Sequence, residues 1–133
     1  MGFADAAEVR KYIGGIFEAA FEDPEIGPKL RDTGIVLQFT FTEPDSVVVV
    51  DAVKATVGDS ADGAAPGAVM SMAADTGNAY WQGKVNLPLA MAKSKIKVQG
   101  NVASLLKLAP LGKQLFPVYI ETLRSDGRDD LIV

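Results

Sequence analysis

Few side chains in this 133-residue chain are suited to chemistry. It has no cysteine and no histidine, which removes disulfides, thiolate nucleophiles, imidazole bases and the donors that zinc and copper sites usually take. Carboxylates and tyrosines remain. Asp51 interrupts an apolar run and is the best acid or base, with Tyr119 a second proton donor,. Asp51 has no partner at a defined spacing, however, and a lone aspartate in such a place more often marks a strand end. Asp59 and Asp62 stand like the first ligands of a calcium loop, but the third spaced carboxylate and the closing glutamate are missing,. Asp126, Asp129 and Asp130 fall on what reads as a frayed polar tail over residues 125–130, where a cation site has no frame. No glycine-rich loop follows a strand and opens a helix, so a phosphate cradle is not expected. These residues point to no catalytic centre, no metal site and no cofactor.

Charge narrows the partners. The net value of −4 disfavours nonspecific binding to nucleic acid, and allows at most transient contact with a membrane. Residues 1–75 carry 5 basic and 13 acidic side chains, and residues 76–133 carry 8 and 4. Lys93, Lys95 and Lys97 form a small basic row. It either meets a phosphate or headgroup or, more simply, keeps a sheet edge from pairing. No basic stretch leads into an apolar run at the N-terminus, and no segment approaches the roughly 20 apolar residues that span a bilayer. The chain reads as one cytoplasmic domain, residues 1–133.

The elements follow from periodicity. Val9, Tyr12, Ile13, Ile16, Phe17, Ala20 and Phe21 recur at spacings of three and four, which predicts a helix over residues 5–23,. Gly14-Gly15 inside it calls for a close packing contact or a local weakness. Pro24 and Pro28 bracket a short helical piece ending near Gly34. Ile35, Leu37, Phe39 and Phe41 alternate with polar or small residues as a strand with its phenylalanines inward,. Glu43-Pro44-Asp45-Ser46 suits a type I turn into the β-branched strand 47–50, with pairing resumed at 54–57. A strand is expected over 68–74, then a short helix capped by Asp75 or Thr76 and ended by Gly83. Another helical turn over 87–92, an edge strand through Ile96 and Val98, and a helix over 102–109 follow. Pro110 should interrupt that helix, and a last amphipathic helix should kink at Pro117.

Phe39, Phe41, Met70, Met72, Trp81, Met91, Leu105, Leu108, Phe116 and Tyr119 all fall on inward faces, more bulk than a minimal core demands. A solid core and a cavity both satisfy that pattern. Order adds specificity: a strand ending Ala74-Asp75, a helix with Trp81, Gly83-Lys84, Leu87, then Ile96-Lys97-Val98-Gln99-Gly100-Asn101 leading into Leu105-Leu106-Lys107-Leu108. This stretch resembles the sterol carrier protein 2 family. The resemblance implies an α+β fold, a five-stranded, mainly antiparallel twisted sheet covered on one face by helices, with a lipid tunnel between them. It implies a non-catalytic carrier of a sterol, fatty acid, acyl-CoA or phospholipid, or alternatively an accessory interaction module for a lipid-metabolising enzyme partner. The expected ligand-binding residues are Phe39, Phe41, Val50, Met70, Met72, Trp81, Leu87, Met91, Leu105, Leu108, Leu115, Phe116 and Tyr119, with access gated near 115–119. An empty tunnel should partly collapse or hydrate.

Overall fold

A computed structural model describes residues 3–58 and 66–133, and for residues 104–107 the backbone alone. The calcium-like pair Asp59 and Asp62 lies outside the described residues. The leading amphipathic stripe forms α1 (Ala6–Val9), a π-helical turn (Arg10–Gly14) and α2 (Gly15–Glu22), end to end. The Asp5 carboxylate caps the start by accepting from the Glu8 amide at 3.0 Å,. Of the two glycines only Gly14 sits in a close contact. A Cβ there would lie 3.3 Å from Val57 Cγ1, whereas at Gly15 it would meet nothing within 4 Å. Helix α3 (Ile26–Asp32) follows a turn in which the Asp23 carboxylate accepts from the amides of Glu25 and Ile26.

The strands are β1 (Val36–Thr42), β2 (Ser46–Asp51), β3 (Thr56–Gly58), β4 (Ala68–Ala73) and β5 (Ile96–Gly100), in the order β3-β2-β1-β4-β5. Three neighbouring pairs are antiparallel, and β1 with β4 is parallel. Leu37, Phe39 and Phe41 on β1 and Met70 and Met72 on β4 are buried on the helical side, as the alternation predicts,. The hairpin turn differs from type I. The Glu43–Pro44 peptide is cis and Glu43 has φ 54°, whereas a type I turn takes a trans proline at its second position. Asp51 closes the bend into β3, its Oδ1 accepting from the amides of Val53 and Lys54 at 2.9 and 3.0 Å,. Its carboxylate is structural, at a strand end.

Helix α4 (Ala74–Tyr80) grows directly out of β4. Ala73 stands at its N-cap without a side-chain bond, so the expected cap at Asp75 or Thr76 is not used. With no loop between strand and helix, those residues already lie in the first turn. Helix α5 (Leu87–Ala92) is capped by Asn86, whose Oδ1 accepts from the Leu89 amide at 3.1 Å. Helix α6 (Val102–Ser125) runs unbroken through Pro110, where the sequence predicts an interruption, and on through Pro117. A proline inside a helix costs about 3 kcal/mol, but burial of Leu108, Leu115, Tyr119 and Leu123 on one stripe contributes about 1.5–3 kcal/mol for each.

The tail is docked rather than frayed. Arg128 pairs with Glu8 and Asp130, Asp126 with Lys11, and a 3-10 turn (Asp129–Leu131) delivers Leu131 into the core at 1% exposure. Among the described residues no helix is long and apolar enough to cross a membrane, and no group of acidic residues is placed to hold a metal.

Candidate ligand pocket

Between the inward face of the sheet and the first half of α6 lies an apolar pocket. Its floor is Leu37 and Phe39 of β1 with Met70 of β4. Phe17 of α2 and Ile26 and Leu30 of α3 close one side; Tyr80, Trp81 and Leu87 close another. The cover is α6, through Leu108, Ala109, Leu111, Gly112 and Leu115. Trp81 anchors the wall by edge-to-face contact with Phe17, Tyr80 and Phe116, at centroid distances of 5.2, 5.3 and 6.0 Å,. Among the described residues no charged side chain lines the pocket. Tyr80 supplies the one side-chain hydroxyl of its described lining, and burial pushes that group's pKa up.

The cavity measures about 40 Å³, room for roughly three water molecules. Among the described residues the space between sheet and helices is this small pocket rather than an open tunnel, with Leu108, Leu111 and Leu115 lining it beneath α6. That closure has a physical reason. At about 24 cal/mol per Å³ a void of this size costs about 1 kcal/mol, whereas some 500 Å³ held empty would nominally cost about 12 kcal/mol.

Of the residues expected from the sequence, Phe39, Met70, Trp81, Leu87, Leu108 and Leu115 come together around this pocket. Phe41 and Met72 lie further along their strands, where Phe41 packs against Gly77 of α4. Val50 is buried in β2 opposite Leu37 and Val57. Phe116 backs Trp81 and Tyr80 from behind, and Met91 is half-buried on α5. The side chain of Leu105 lies outside the described residues. Phe17, Ile26, Leu30, Leu37, Tyr80, Ala109, Leu111 and Gly112 were not expected; the stripe of the leading helix and the alternation of β1 carry Phe17 and Leu37, but assign them only to a core.

Tyr119 has another task. Its hydroxyl donates to Asn78 Oδ1 at 2.6 Å, and burial pushes its pKa up. The Asn78 amide donates to the Leu131 carbonyl at 2.7 Å, and the Gln82 amide donates to Asn78 Oδ1 and to the same carbonyl at 3.0 and 2.9 Å. Gln82 Oε1 accepts from the Val133 amide at 2.9 Å. This buried network ties α4, α6 and the C-terminal turn together beside the pocket, and the sequence pattern gave no sign of it.

The profile of the SCP-2 sterol transfer family matches residues 16–113. The chain belongs to that family. Among solved structures it is similar to the sterol carrier protein domain 2 of Helicoverpa armigera, at 24% identity and a TM-score of 0.71 over 87% of this chain and 94% of that one. It is similar to sterol carrier protein 2 of Yarrowia lipolytica in the apo form, at 18% identity and a TM-score of 0.61 over 77% and 86%. It is also similar to sterol carrier protein 2 of Aedes aegypti in complex with palmitate, at 25% identity and a TM-score of 0.58 over 80% and 93%. No curated protein sequence matches. The α+β architecture with its five-stranded sheet is that of these proteins; the family assignment makes this a domain of the lipid-binding class.

Proposed function

We propose that residues 1–133 act as one non-catalytic domain that buries the apolar part of a fatty acid, acyl-CoA, sterol or phospholipid between α6 and the sheet. The observation that carries this reading is the lining: hydrocarbon and aromatic groups from seven separate elements converge on an incompletely filled space, with no charged side chain among its described walls. Such a surface gains from an oily guest by the hydrophobic effect and offers water few partners. The palmitate complex of the Aedes aegypti protein supports the same use of the fold.

Phe39, Met70, Trp81, Leu87, Leu108 and Leu115 are the proposed contacts, with Phe17, Leu30, Leu37 and Tyr80 beside them. A lipid tail exceeds the resting cavity, so binding requires the first half of α6 to lift. The expected gate at 115–119 therefore moves upstream, because Tyr119 is bonded to Asn78 while Leu108, Leu111 and Leu115 are held by nondirectional packing alone. The test is native mass spectrometry for a copurifying lipid, with displacement of a fluorescent fatty acid by unlabelled ones. An Ala109→Phe variant should abolish displacement by filling the pocket. Absence of both copurified lipid and displacement from the unaltered protein would remove the proposal.

A further inference from the structure

One hydroxyl among the pocket's apolar walls has no use in the packing around it. Tyr80, the last residue of α4, sets its ring edge-to-face against Trp81 and Phe116, at centroid distances of 5.3 and 5.9 Å, and lines the pocket. Phenylalanine would make both ring contacts equally well. Among the described residues the Tyr80 hydroxyl makes no hydrogen bond. Its neighbours are all engaged: the Tyr119 hydroxyl donates to Asn78, and Asn78 and Gln82 donate to the Leu131 carbonyl. Burial alone pushes the Tyr80 pKa up, so the phenol stays protonated at neutral pH and can both donate and accept.

Tyr80 also stands where the pocket meets solvent. The deep walls, among them Phe17, Leu30, Phe39, Met70 and Trp81, are buried, whereas Tyr80, Leu87, Ala109 and Leu111 are partly exposed and bound the open side. The indole N–H of Trp81 can only donate, so among the described lining side chains the Tyr80 hydroxyl alone combines a strong donor with a strong acceptor,. An unpaired hydroxyl at the rim of an oily space is suited to the polar end of a guest whose tail lies inside.

We infer that Tyr80 is a specificity-determining residue whose hydroxyl exchanges a hydrogen bond with a single neutral hydroxyl on the ligand, so that the pocket prefers an alcohol-headed lipid to the corresponding carboxylate. The inference rests on the carrier reading and narrows it. A hydroxyl on the guest has one proton to give and lone pairs to accept with, which one phenol can meet. An ionised carboxylate presents about four acceptor sites and a full charge. Drawing it partly out of water, with no cation among the described walls, costs more than the transfer of a neutral group.

The experiment titrates dodecanol, dodecane and dodecanoate into the full chain and into a Tyr80→Phe variant, which keeps the ring, at neutral pH where the acid is ionised. Trp81 is the chain's one tryptophan and stands in the pocket wall, so its fluorescence reports occupancy directly. The parent should bind dodecanol about tenfold more tightly than dodecanoate. Tyr80→Phe should weaken dodecanol about fivefold and leave dodecane unchanged, with circular dichroism showing the variant folded. A loss shared by all three ligands would mean that Tyr80 only packs, and no loss with dodecanol would mean that its hydroxyl meets only water. Either result overturns the inference and leaves the carrier proposal standing. Equal affinity of the parent for dodecanol and dodecanoate, a comparison that needs no variant, would overturn it in the same way. If the parent binds none of the three, the carrier proposal falls and this inference falls with it.

Discussion

The two halves of α6 lie over the same sheet and are held by different forces. The second half is fixed by directional bonds: Tyr119 to Asn78, Asn78 and Gln82 to the Leu131 carbonyl, with Leu123 fully buried beside them. The first half meets the sheet through Leu108, Leu111 and Leu115 over a small void. A satisfied polar network specifies one geometry, because every alternative leaves a buried group unpaired. Apolar packing has no such direction, so it can be rearranged around a guest at modest cost. Under the proposed function, that difference would let one helix serve as both a fixed post and a movable cover.

The largest effect should come from cutting the fixed half. Asn78→Ala leaves the Tyr119 hydroxyl and the Leu131 carbonyl short of partners, and should lower stability by about 3 kcal/mol, or about 10 °C in melting temperature, by calorimetry. Tyr119→Phe removes one bond and leaves Asn78 Oδ1 its bond from Gln82, so its cost should be nearer 1 kcal/mol. If both variants melt with the parent, the network is not what anchors the helix.

Next in size is stabilisation by ligand. A fatty acid at a hundredfold excess over its Kd should add about 2.7 kcal/mol, and lipid should change hydrogen exchange in residues 103–115 more than in 119–125. Uniform change along α6 would erase the contrast.

Gly112→Ala sharpens it. A Cβ at Gly112 would lie 3.6 Å from Trp81 Cζ3, an ordinary contact, and alanine is favoured over glycine inside a helix by about 1 kcal/mol. The variant should therefore be more stable when empty and weaker in lipid binding, two changes of opposite sign read by melting and by displacement.

The smallest effect concerns the tail. The hydrogen bond from Arg128 holds the Glu8 carboxyl below its ordinary value of 4.5, and the same partner lowers Asp130. A carboxylate with a lowered folded pKa contributes above its unfolded value and loses that contribution as pH falls through the folded one. Stepping the pH down from about 5 to about 3 should thus raise hydrogen exchange at Leu131 before the domain unfolds. Equal protection of Leu131 at both ends of that range would show that the ion pairs do not hold the tail.

Much of this architecture could be read from spacing. The alternation of residues 35–42 and the stripe of residues 9–21 gave a buried strand face and the leading helix, and α5 falls where the sequence placed it. What spacing misses is position along an element. Leu37, Phe39 and Phe41 share a face, but a strand advances about 3.4 Å per residue. Phe41 is thereby carried past the pocket to Gly77, while Leu37 and Phe39 remain in its floor. Tyr119 is buried, as its inward face predicts, but its bond to Asn78, a partner far away in sequence, left no local signal. The continuity of α6 and the docked tail were hidden for the same reason: Pro110 and the acidic residues 126–130 carry strong local signals that distant contacts with the core and with Glu8 override.

The parallel pairing at the centre of the sheet also orders assembly in time. Leu37 meets Val50 across a short hairpin but meets Ala68 only after a loop more than twice as long has closed, and longer loops cost more entropy before contacts reward them. The hairpin should nucleate first, and Phe39 should find Met70 late. Pulse-labelled exchange during refolding should protect amides in residues 36–51 ahead of those in 68–73. The floor of the pocket would then be among the last parts to form, so a nascent chain has no apolar pocket until its sheet is complete.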